Sequence, residues 1–146
     1  MSETSKYFVR PGEGKLYDRN NEMWIKVPSN ETKGTYEICE EICLAGFESK
    51  KHAHRKDYET FYIVDGSATW TVGDETIEAT KGTVINIPPN VPHKVVTQNG
   101  CHMLMVFGPG QQAAMFDEMD KLTPEARQDL GVIHEILDRH DVIPFE

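Results

Sequence analysis

The stretch GFESKKHAHRKDYETFYIVDG, residues 46–66, places two histidines one residue apart among strand-forming residues. On a β-strand, residues i and i+2 point to the same face, so His52 and His54 present two imidazoles to a single point. Glu59 lies at an odd offset from both histidines, and a continuous strand would turn it away. The intervening RKDY is typical of a turn, after which Glu59 opens the next strand and faces the same interior.

A fourth candidate ligand, His93, follows a proline-rich turn in GTVINIPPNVPHKVVT, residues 82–97. Three imidazoles and one carboxylate suit a divalent first-row transition metal and leave room for water, dioxygen or substrate. The remaining histidines have no comparable partners nearby in sequence. We expect structural or exposed roles for these three: His102, and His134 and His140 in a predicted terminal helix.

Short β-rich runs occupy residues 35–107, and they are separated at regular intervals by turn residues. Such spacing without intervening helical patterns predicts an all-β antiparallel sandwich or barrel. The predicted turns are Asp65-Gly66, Gly73-Asp74, Lys81-Gly82 and Asn99-Gly100, of which Gly73-Asp74 indicates a tight hairpin. Three regions follow: an arm or loosely paired strands at 1–34, with MWIKV (23–27) as a strand, the barrel at 35–108, and a helical extension at 109–146.

The helical extension contains two patterns with helical spacing. The first places Met115, Phe116 and Met119 on one helix. For the second, Thr123 is the predicted cap and Pro124 suits the first turn. The apolar stripe expected to pack on the barrel comprises Ala126, Leu130, Ile133 and Leu137.

Composition narrows the class of protein. The chain has 146 residues, enough for one domain, and 15 basic against 24 acidic residues give a net charge of −9. Binding to nucleic acid is disfavoured because it needs a basic face, and no run approaches the roughly 20 apolar residues of a membrane span. The first residues lack a signal-peptide core, so a cytoplasmic protein is expected. The odd number of cysteines, without a CxxC pair, predicts reduced and mostly buried thiols: Cys39, Cys43 and Cys101.

The two histidine segments resemble the conserved motifs of the cupins. The first cupin motif, G(x)5HxH(x)3-4E(x)6G, is met at every position by Gly46, His52, His54, Glu59 and Gly66. The second, G(x)5PxG(x)2H(x)3N, is met by Gly82, Pro88 and His93. Two positions depart from it, with Asn90 in place of glycine and Thr97 in place of asparagine. Asparagine tolerates a left-handed turn, so the first change is mild.

This resemblance implies a double-stranded β-helix, the cupin jelly-roll barrel, with an N-terminal arm and C-terminal helices. It also implies that His52, His54, Glu59 and His93 bind one divalent transition metal ion per chain (Fe, Mn, Ni, Co, Cu or Zn). The sequence does not select among these metals. Many cupins are dimers, so a homodimer is expected, in which the arm can add a strand to a neighbour's sheet edge.

Strand alternation from Glu59 predicts a mainly apolar interior with few fixed charges. A lining of this kind suits an aromatic or other flat small molecule better than a phosphorylated sugar. Each of these residues also fits simple barrel core. The candidate lining residues are Phe61, Ile63, Ile85, Ile87, Val95, Met103, Met105 and Phe107.

The C-terminal segment, with FGPGQQAAMFDEM and LDRHDVIPF, is similar to the extension of single-domain, quercetinase-like cupins. That resemblance implies a metal-dependent dioxygenase acting on a phenolic or enol, flavonol-like small molecule, with Glu59 as both ligand and catalytic base. Two alternatives stay open. One is a non-oxidative cupin enzyme, such as an isomerase, lyase or decarboxylase, and the other is a non-catalytic small-molecule-binding cupin.

Overall fold

The computed structural model describes residues 5–18 and 21–146. Two α-helices are present there, α1 (Gln112–Asp120) and α2 (Leu130–Arg139), with short 3-10 turns at Ser29–Glu31 and Ala126–Gln128. The strands are β1 (Lys15–Asp18), β2 (Asn21–Val27), β3 (Glu37–Cys43), β4 (His52–His54), β5 (Tyr58–Val72), β6 (Glu75–Thr80), β7 (Val84–Ile87), β8 (His93–Val96), β9 (Cys101–Gly108) and β10 (Val142–Pro144).

The strands form two antiparallel sheets that share β5. Sheet I has the order β1-β2-β3-β9-β5-β7 and uses the first half of β5. Sheet II has the order β6-β5-β8-β4-β10 and uses the second half. The predicted strand at 23–27 is therefore β2, which joins β1 to the main sheet rather than lying apart from it.

Strand β5 differs from the prediction, because the chain does not turn at Asp65-Gly66. It is one continuous strand of 15 residues, with a register shift between Ile63 and Asp65 that passes it from sheet I to sheet II. Gly66 has φ +78° at this bend, and a Cβ there would lie 2.5 Å from the Gly100 carbonyl oxygen. The glycine signals a bend within a strand rather than a turn between strands. The predicted hairpin at Gly73-Asp74 is confirmed, with Val72 paired to Glu75.

The core lies between the sheets and follows the alternation of the strands. In β3 the side chains at 37, 39, 41 and 43 are buried, and in β9 those at 101, 103, 105 and 107. The predicted free and buried cysteines are confirmed: Cys39, Cys43 and Cys101.

One carboxylate, Glu41, is buried in this apolar interior. Its cross-strand partners are Met23 and Met103, and Cys43 lies two residues along on the same face. The Asn21 amide donates a hydrogen bond to Glu41 Oε1. Burial raises the pKa of Glu41 to about 7, although the contacts with Asn21 and Cys43 oppose that shift.

The second helix begins later than expected. Its N-cap is Asp129, whose Oδ1 accepts hydrogen bonds from the backbone N–H groups of Gly131 and Val132 at 2.9 and 3.3 Å. The Thr123 hydroxyl instead accepts a hydrogen bond of 3.2 Å from the N–H of Ala126, the first residue of the preceding 3-10 turn. Because the helix starts after this turn, Leu130 is 71% exposed and does not belong to the packed stripe.

A small second core fixes these helices to the rest of the fold. Met115 of α1, Ile136 of α2 and Val142 of β10 are buried together, with Phe116 packed against both this cluster and the main core. The sequence did not reveal β10. Neither helix in the described part of the chain has the length and apolar composition needed to cross a bilayer.

Candidate metal centre

The His-x-His pair lies on β4, a strand of only three residues, HAH. Its neighbour on one side is β8, where His52 pairs with His93. On the other side is β10, where Val142 pairs with His54 and Pro144 with His52. A three-residue strand has few hydrogen bonds of its own, so these two neighbours set the direction of both imidazoles.

The four predicted ligands converge in space. One ligand atom from each of His52, His54, Glu59 and His93 lies within 4.8 Å of the others. The turn after β4 brings Glu59 back toward the histidines, as expected: its Oε1 lies 2.6 Å from His54 Nε2 and its Oε2 lies 2.9 Å from His93 Nε2. Three of the four are fully buried, and His52 is partly buried.

Backbone carbonyls orient two of the imidazoles. His52 Nδ1 lies 2.7 Å from the Lys50 carbonyl oxygen, and His93 Nδ1 lies 3.0 Å from that of Val91. A carbonyl oxygen only accepts, so Nδ1 of each ring carries a proton, and Nε2 is the nitrogen left to bind a metal. This is the tautomer that a histidine needs to bind a metal through Nε2.

The charges of the site also suit a cation. Burial alone would lower the pKa of His93, but the neighbouring Glu59 carboxylate outweighs it and raises that pKa, so a metal would displace a proton from His93. Burial lowers the pKa of His52 to about 4, assisted by the neighbouring His93 and His54, so this imidazole is neutral at ordinary pH. Burial alone would raise the pKa of Glu59, but His54 and His93 outweigh it and lower the pKa to about 2. A permanent carboxylate therefore faces imidazole nitrogens in a site with little water.

The contacts between the ligands leave a polar atom without a hydrogen bond. Glu59 Oε2 is buried and has no hydrogen-bond partner, although His93 Nε2 lies 2.9 Å away. Two ligand atoms directed at the same metal ion are expected to lie close together without a hydrogen bond between them. An unpaired buried carboxylate oxygen is costly, and a divalent cation would remove that cost. The residues present fit such a metal.

A second carboxylate beside the site, Asp57, was not identified from the sequence. Asp57 is 2% exposed, and its Oδ1 accepts a hydrogen bond of 2.9 Å from the Gly110 N–H. Its Oδ2 and His54 Nδ1 are both buried without a hydrogen-bond partner. The charge interaction between the two side chains is one of the influences that lower the pKa of Asp57, although burial raises it overall. The only signal in the sequence was the presence of an acidic residue between the candidate ligands His54 and Glu59.

The turn after β9 is tied to the barrel by buried carboxylates. Asp57 holds Gly110, and Glu37 Oε1 accepts hydrogen bonds from the N–H groups of Gln112 and Ala113 at 2.9 and 3.1 Å. These bonds satisfy backbone donors at the start of α1. The C-terminal extension is therefore joined to β3 and to the turn that precedes β5, the strand that carries Glu59.

The eight candidate lining residues all lie in the buried core between the sheets: Phe61, Ile63, Ile85, Ile87, Val95, Met103, Met105 and Phe107. Phe107 approaches the metal ligands, with its ring centroid 6.1 Å from that of His54. Phe61 instead packs on Trp70 at 4.5 Å. The sequence reasoning missed Trp70, whose Nε1 is buried without a hydrogen-bond partner.

The two departures from the second motif have local explanations. Asn90 adopts φ +67°, as expected for a residue in the place of glycine, and its N–H donates to the His54 carbonyl at 2.7 Å. Thr97 is 1% exposed, and its hydroxyl donates to the Ser67 carbonyl and accepts from the Gly100 N–H. The threonine thus joins the turn between β8 and β9 to strand β5, and neither change removes a ligand.

The other histidines lie away from the site. His102 Nε2 is 3.0 Å from Glu40 on the outer face of sheet I. His134 is exposed on α2, as predicted. His140 follows the end of α2 and pairs with Glu118 of α1.

Comparison with known families agrees with this geometry. The sequence profile described as Cupin domain matches residues 41–107, which include all four candidate ligands. The match supports the cupin superfamily. Two uncharacterised relatives match part of this chain. One from Methanocaldococcus jannaschii is 36% identical over 58 residues, 40% of this chain and 46% of that protein. One from Streptomyces coelicolor is 35% identical over 66 residues, 44% of this chain and 62% of that protein, so the chain spans less than two thirds of either.

Solved structures of other proteins show the same fold. An RmlC-like cupin from Shewanella frigidimarina has a TM-score of 0.66 at 20% identity, over 75% of this chain and 96% of that chain. A predicted oxalate decarboxylase from Thermotoga maritima has a TM-score of 0.65 at 15% identity, over 69% of this chain and 97% of that chain. The Streptomyces nucleoside dehydratase Pac13 has a TM-score of 0.60 at 16% identity, over 74% of this chain and 88% of that chain. The architecture is thus a cupin jelly-roll barrel with two C-terminal helices, a fold that several kinds of enzyme share.

Proposed function

We propose that this chain is a metal-dependent cupin enzyme that uses dioxygen to cleave a small, mainly apolar phenol or enol, in the manner of the quercetinase-like cupins. The observation that carries this proposal is the buried set of His52, His54, Glu59 and His93, whose ligand atoms lie within 4.8 Å of one another in an apolar interior. A bound divalent transition metal would supply a Lewis acid for the substrate oxygen and, if redox-active, reactivity toward dioxygen.

The protein residues have separate tasks in this reaction. Glu59 is the base: its carboxylate accepts the hydroxyl proton of the phenol or enol, which produces an electron-rich anion. His52 and His93 are held by the carbonyls of Lys50 and Val91, so their Nε2 atoms keep one direction during turnover. The apolar side chains near the ligands, with Phe107 foremost, contact the flat body of the substrate and exclude water.

The charge of the interior favours a neutral substrate. Among the buried polar and charged side chains of the described residues there is no Lys or Arg. A phosphorylated or carboxylated substrate would call for such a partner, because an unpaired buried anion is costly. In a dioxygenase both oxygen atoms enter the products as a carbon–carbon bond of the substrate is cleaved, so no external reductant is required.

The first test is metal content, measured by elemental mass spectrometry on protein purified without a metal-binding tag or chelator. We expect about one redox-active metal per chain. Oxygen consumption is then followed with flavonols, catechols and β-diketones as substrates. Glu59→Gln should abolish turnover while the far-ultraviolet circular dichroism stays unchanged. Glu75→Gln, which changes an exposed carboxylate on β6, is the matched control and should retain full activity.

The outcomes separate the candidate functions. Turnover that persists under nitrogen would refute the use of dioxygen and identify non-oxidative Lewis-acid chemistry. A ligand retained on purification without product formation would identify a binding cupin. Unfolding of the Glu59→Gln variant would mean that the site is chiefly structural.

A further inference from the structure

Two thiols face each other across the central strands of sheet I. Cys43 is the last residue of β3 and Cys101 is the first residue of β9, and the two are Cα partners in the sheet. Both side chains point into the interior, where they are 2% and 4% exposed, and both thiols are free. The pair lies at the opposite end of β9 from Phe107, which pairs with Glu59 of the metal centre. The proposed metal chemistry therefore involves neither thiol.

Strand pairing brings the two Cα atoms within the range of a disulfide bond. Residues directly opposite on antiparallel strands have Cα atoms about 4.5 or about 5.5 Å apart, and disulfide bonds join cysteines whose Cα atoms are about 4.4–6.8 Å apart. The Cβ atoms of such residues are about 4.5–5.5 Å apart, against about 3.5–4.5 Å in a disulfide. The two strand ends therefore need to close by no more than about 1 Å. Neither side chain has to change face.

The third cysteine, Cys39, provides an internal comparison. It lies on the same face of β3 as Cys43, but its partner on β9 is Met105. A strand length of about 13 Å separates it from Cys43, and hence also from Cys101 opposite, which is too far for a disulfide bond. Strand register thus selects one pair from the three thiols and leaves Cys39 without a thiol partner.

The surroundings of the pair determine which thiol reacts first. Burial, assisted by the charges of Glu41 and Asp65, raises the pKa of Cys101 to about 11. Burial raises the pKa of Cys43 further still, and the neighbouring Glu41 carboxylate adds to that rise. Because the thiolate is the nucleophile, Cys101 is the thiol that attacks an oxidant, and Cys43 is the thiol that completes the bond. Both shifts make the reaction slow.

A small oxidant can approach the pair at the ends of these two strands. Leu44, directly after Cys43, is 58% exposed, and Asn99, in the turn before Cys101, is exposed as well. The ends of strands open locally at a lower free energy than their centres. Such an opening exposes both Sγ atoms while the remaining pairs of β3 and β9 stay formed.

We propose that Cys43 and Cys101 form a modification site, at which hydrogen peroxide converts the two thiols into a disulfide bond between β3 and β9. The Cys101 thiolate attacks one peroxide oxygen and breaks the O–O bond, which leaves a sulfenic acid on Cys101. The hydroxide that departs takes up the proton that Cys101 has lost and becomes water. The Cys43 sulfur then attacks the sulfenic sulfur, and the hydroxyl leaves with the Cys43 proton as a second water. Two thiols are thus oxidised by two electrons, and one peroxide is reduced to two waters.

This bond would close the segment that carries the whole metal centre. All four candidate ligands lie between Cys43 and Cys101 in the sequence. A disulfide removes conformational freedom from the unfolded chain, and the loss is larger for a longer loop. The closed loop here spans more than a third of the chain. Oxidation should therefore stabilise the folded barrel and keep the ligand segment together when strand pairing is lost.

Mass spectrometry of the full, metal-loaded chain tests the bond directly. The folded protein is incubated with excess hydrogen peroxide, catalase removes the peroxide, and free thiols are alkylated in denaturant. We expect a chain that has lost two hydrogen atoms and carries one alkyl group. Digestion without reductant should place that group on Cys39 and link the peptides of Cys43 and Cys101. Cys39→Ala, the matched control, should form the same bond without a label, and Cys43→Ala should form no bond.

Urea denaturation measures the effect on stability. At a fixed urea concentration, oxidation should lower the ratio of unfolded to folded chains by about 30-fold to about 1,000-fold, and dithiothreitol should restore the original ratio. Cys39→Ala should show the same change. Cys43→Ala, with its fold checked by circular dichroism and metal content, should show none, which distinguishes the bond from oxidation of other side chains.

Several results would overturn this assignment. One is a folded chain whose three thiols all stay free after peroxide treatment. Others are sulfinic or sulfonic acid on Cys101 in place of the bond, a bond that includes Cys39 or joins two chains, and a bond that leaves urea denaturation unchanged. None of these measurements depends on whether the metal site is catalytic.

Discussion

Replacing Glu41 with glutamine should make the protein more stable at neutral and alkaline pH. Burial raises the pKa of Glu41 from an ordinary 4.5 to about 7 in the folded chain. Below pH 4.5 the carboxyl is protonated in both states and carries no cost. Between the two values the unfolded chain loses the proton and the folded chain keeps it, so the free energy of unfolding falls as pH rises. Above the folded pKa Glu41 is ionised in both states, and the free energy of unfolding falls no further on its account.

The magnitude follows from the shift. One pKa unit corresponds to about 1.4 kcal/mol, so ionisation of Glu41 costs the folded state about 3 kcal/mol. Glutamine has nearly the same shape and never ionises. The unfolding free energy of Glu41→Gln, relative to wild type, should therefore increase by about 3 kcal/mol between about pH 4 and about pH 8.

Urea denaturation across that pH range, with chelator present, measures this difference. Titrating groups that do not interact with Glu41 are common to both proteins and largely cancel. Glu75→Gln, an exposed exchange on β6, should track the wild type at every pH. A difference between Glu41→Gln and wild type that stays constant from pH 4 to 8 would show that Glu41 ionises without penalty, and the reasoning from burial would be refuted.

Three further predictions concern the metal site and the bend in β5. Asp57→Asn should weaken metal binding about 10-fold in chelator competition, since carboxylates beside a metal site orient the imidazoles that bind the metal. The exposed change Asp74→Asn should leave the metal affinity intact. Equal metal affinities of Asp57→Asn and Asp74→Asn would exclude an orienting role for Asp57. Deleting residues 141–146 should also lower metal affinity, with the barrel's circular dichroism retained, because β4 loses one of its neighbours; unchanged affinity would show that β8 suffices. Gly66→Ala should destabilise the fold by roughly 2–4 kcal/mol in thermal or urea unfolding, through backbone strain and a steric clash. Gly12→Ala, at φ +74° with no atom within 4 Å of the added Cβ, has the strain without the clash and should cost less; similar losses would contradict the packing argument.

The sequence predicted the elements whose cause is local. Short β-rich runs within residues 35–107 indicated strands, among them β3 and β9, and Gly73-Asp74 marked a hairpin. The ligand set followed from motif spacing, and the structure brings those four side chains together. Asn90 adopts the left-handed conformation that its place in the motif required.

The errors and omissions arose where long-range contacts decide the outcome. Gly66 is a turn residue by type, but pairing of β5 with β9 up to Gly66, and with β6 and β8 beyond it, keeps the strand continuous. Strand β10 has only three residues, and its partner β4 lies far away in the chain, so no local pattern marks it. Asp57 is one acid among many in an acidic sequence, and only burial distinguishes it. Leu130 has the right spacing, but the helix begins too late for it to reach the core.

The pairing of β10 with β4 has a consequence for biosynthesis. Val142 is 88 residues beyond His54, its partner, so the strand that carries two ligands stays incomplete on one side while most of the chain is translated. The barrel strands, whose partners are nearer in sequence, can assemble earlier. Metal capture by this site should therefore wait for β10, and in a cell metal would be loaded only onto chains that have been made at least as far as Pro144. A chain interrupted before β10 would fold into a barrel that holds its metal poorly, and metal occupancy would report whether β10 is in place.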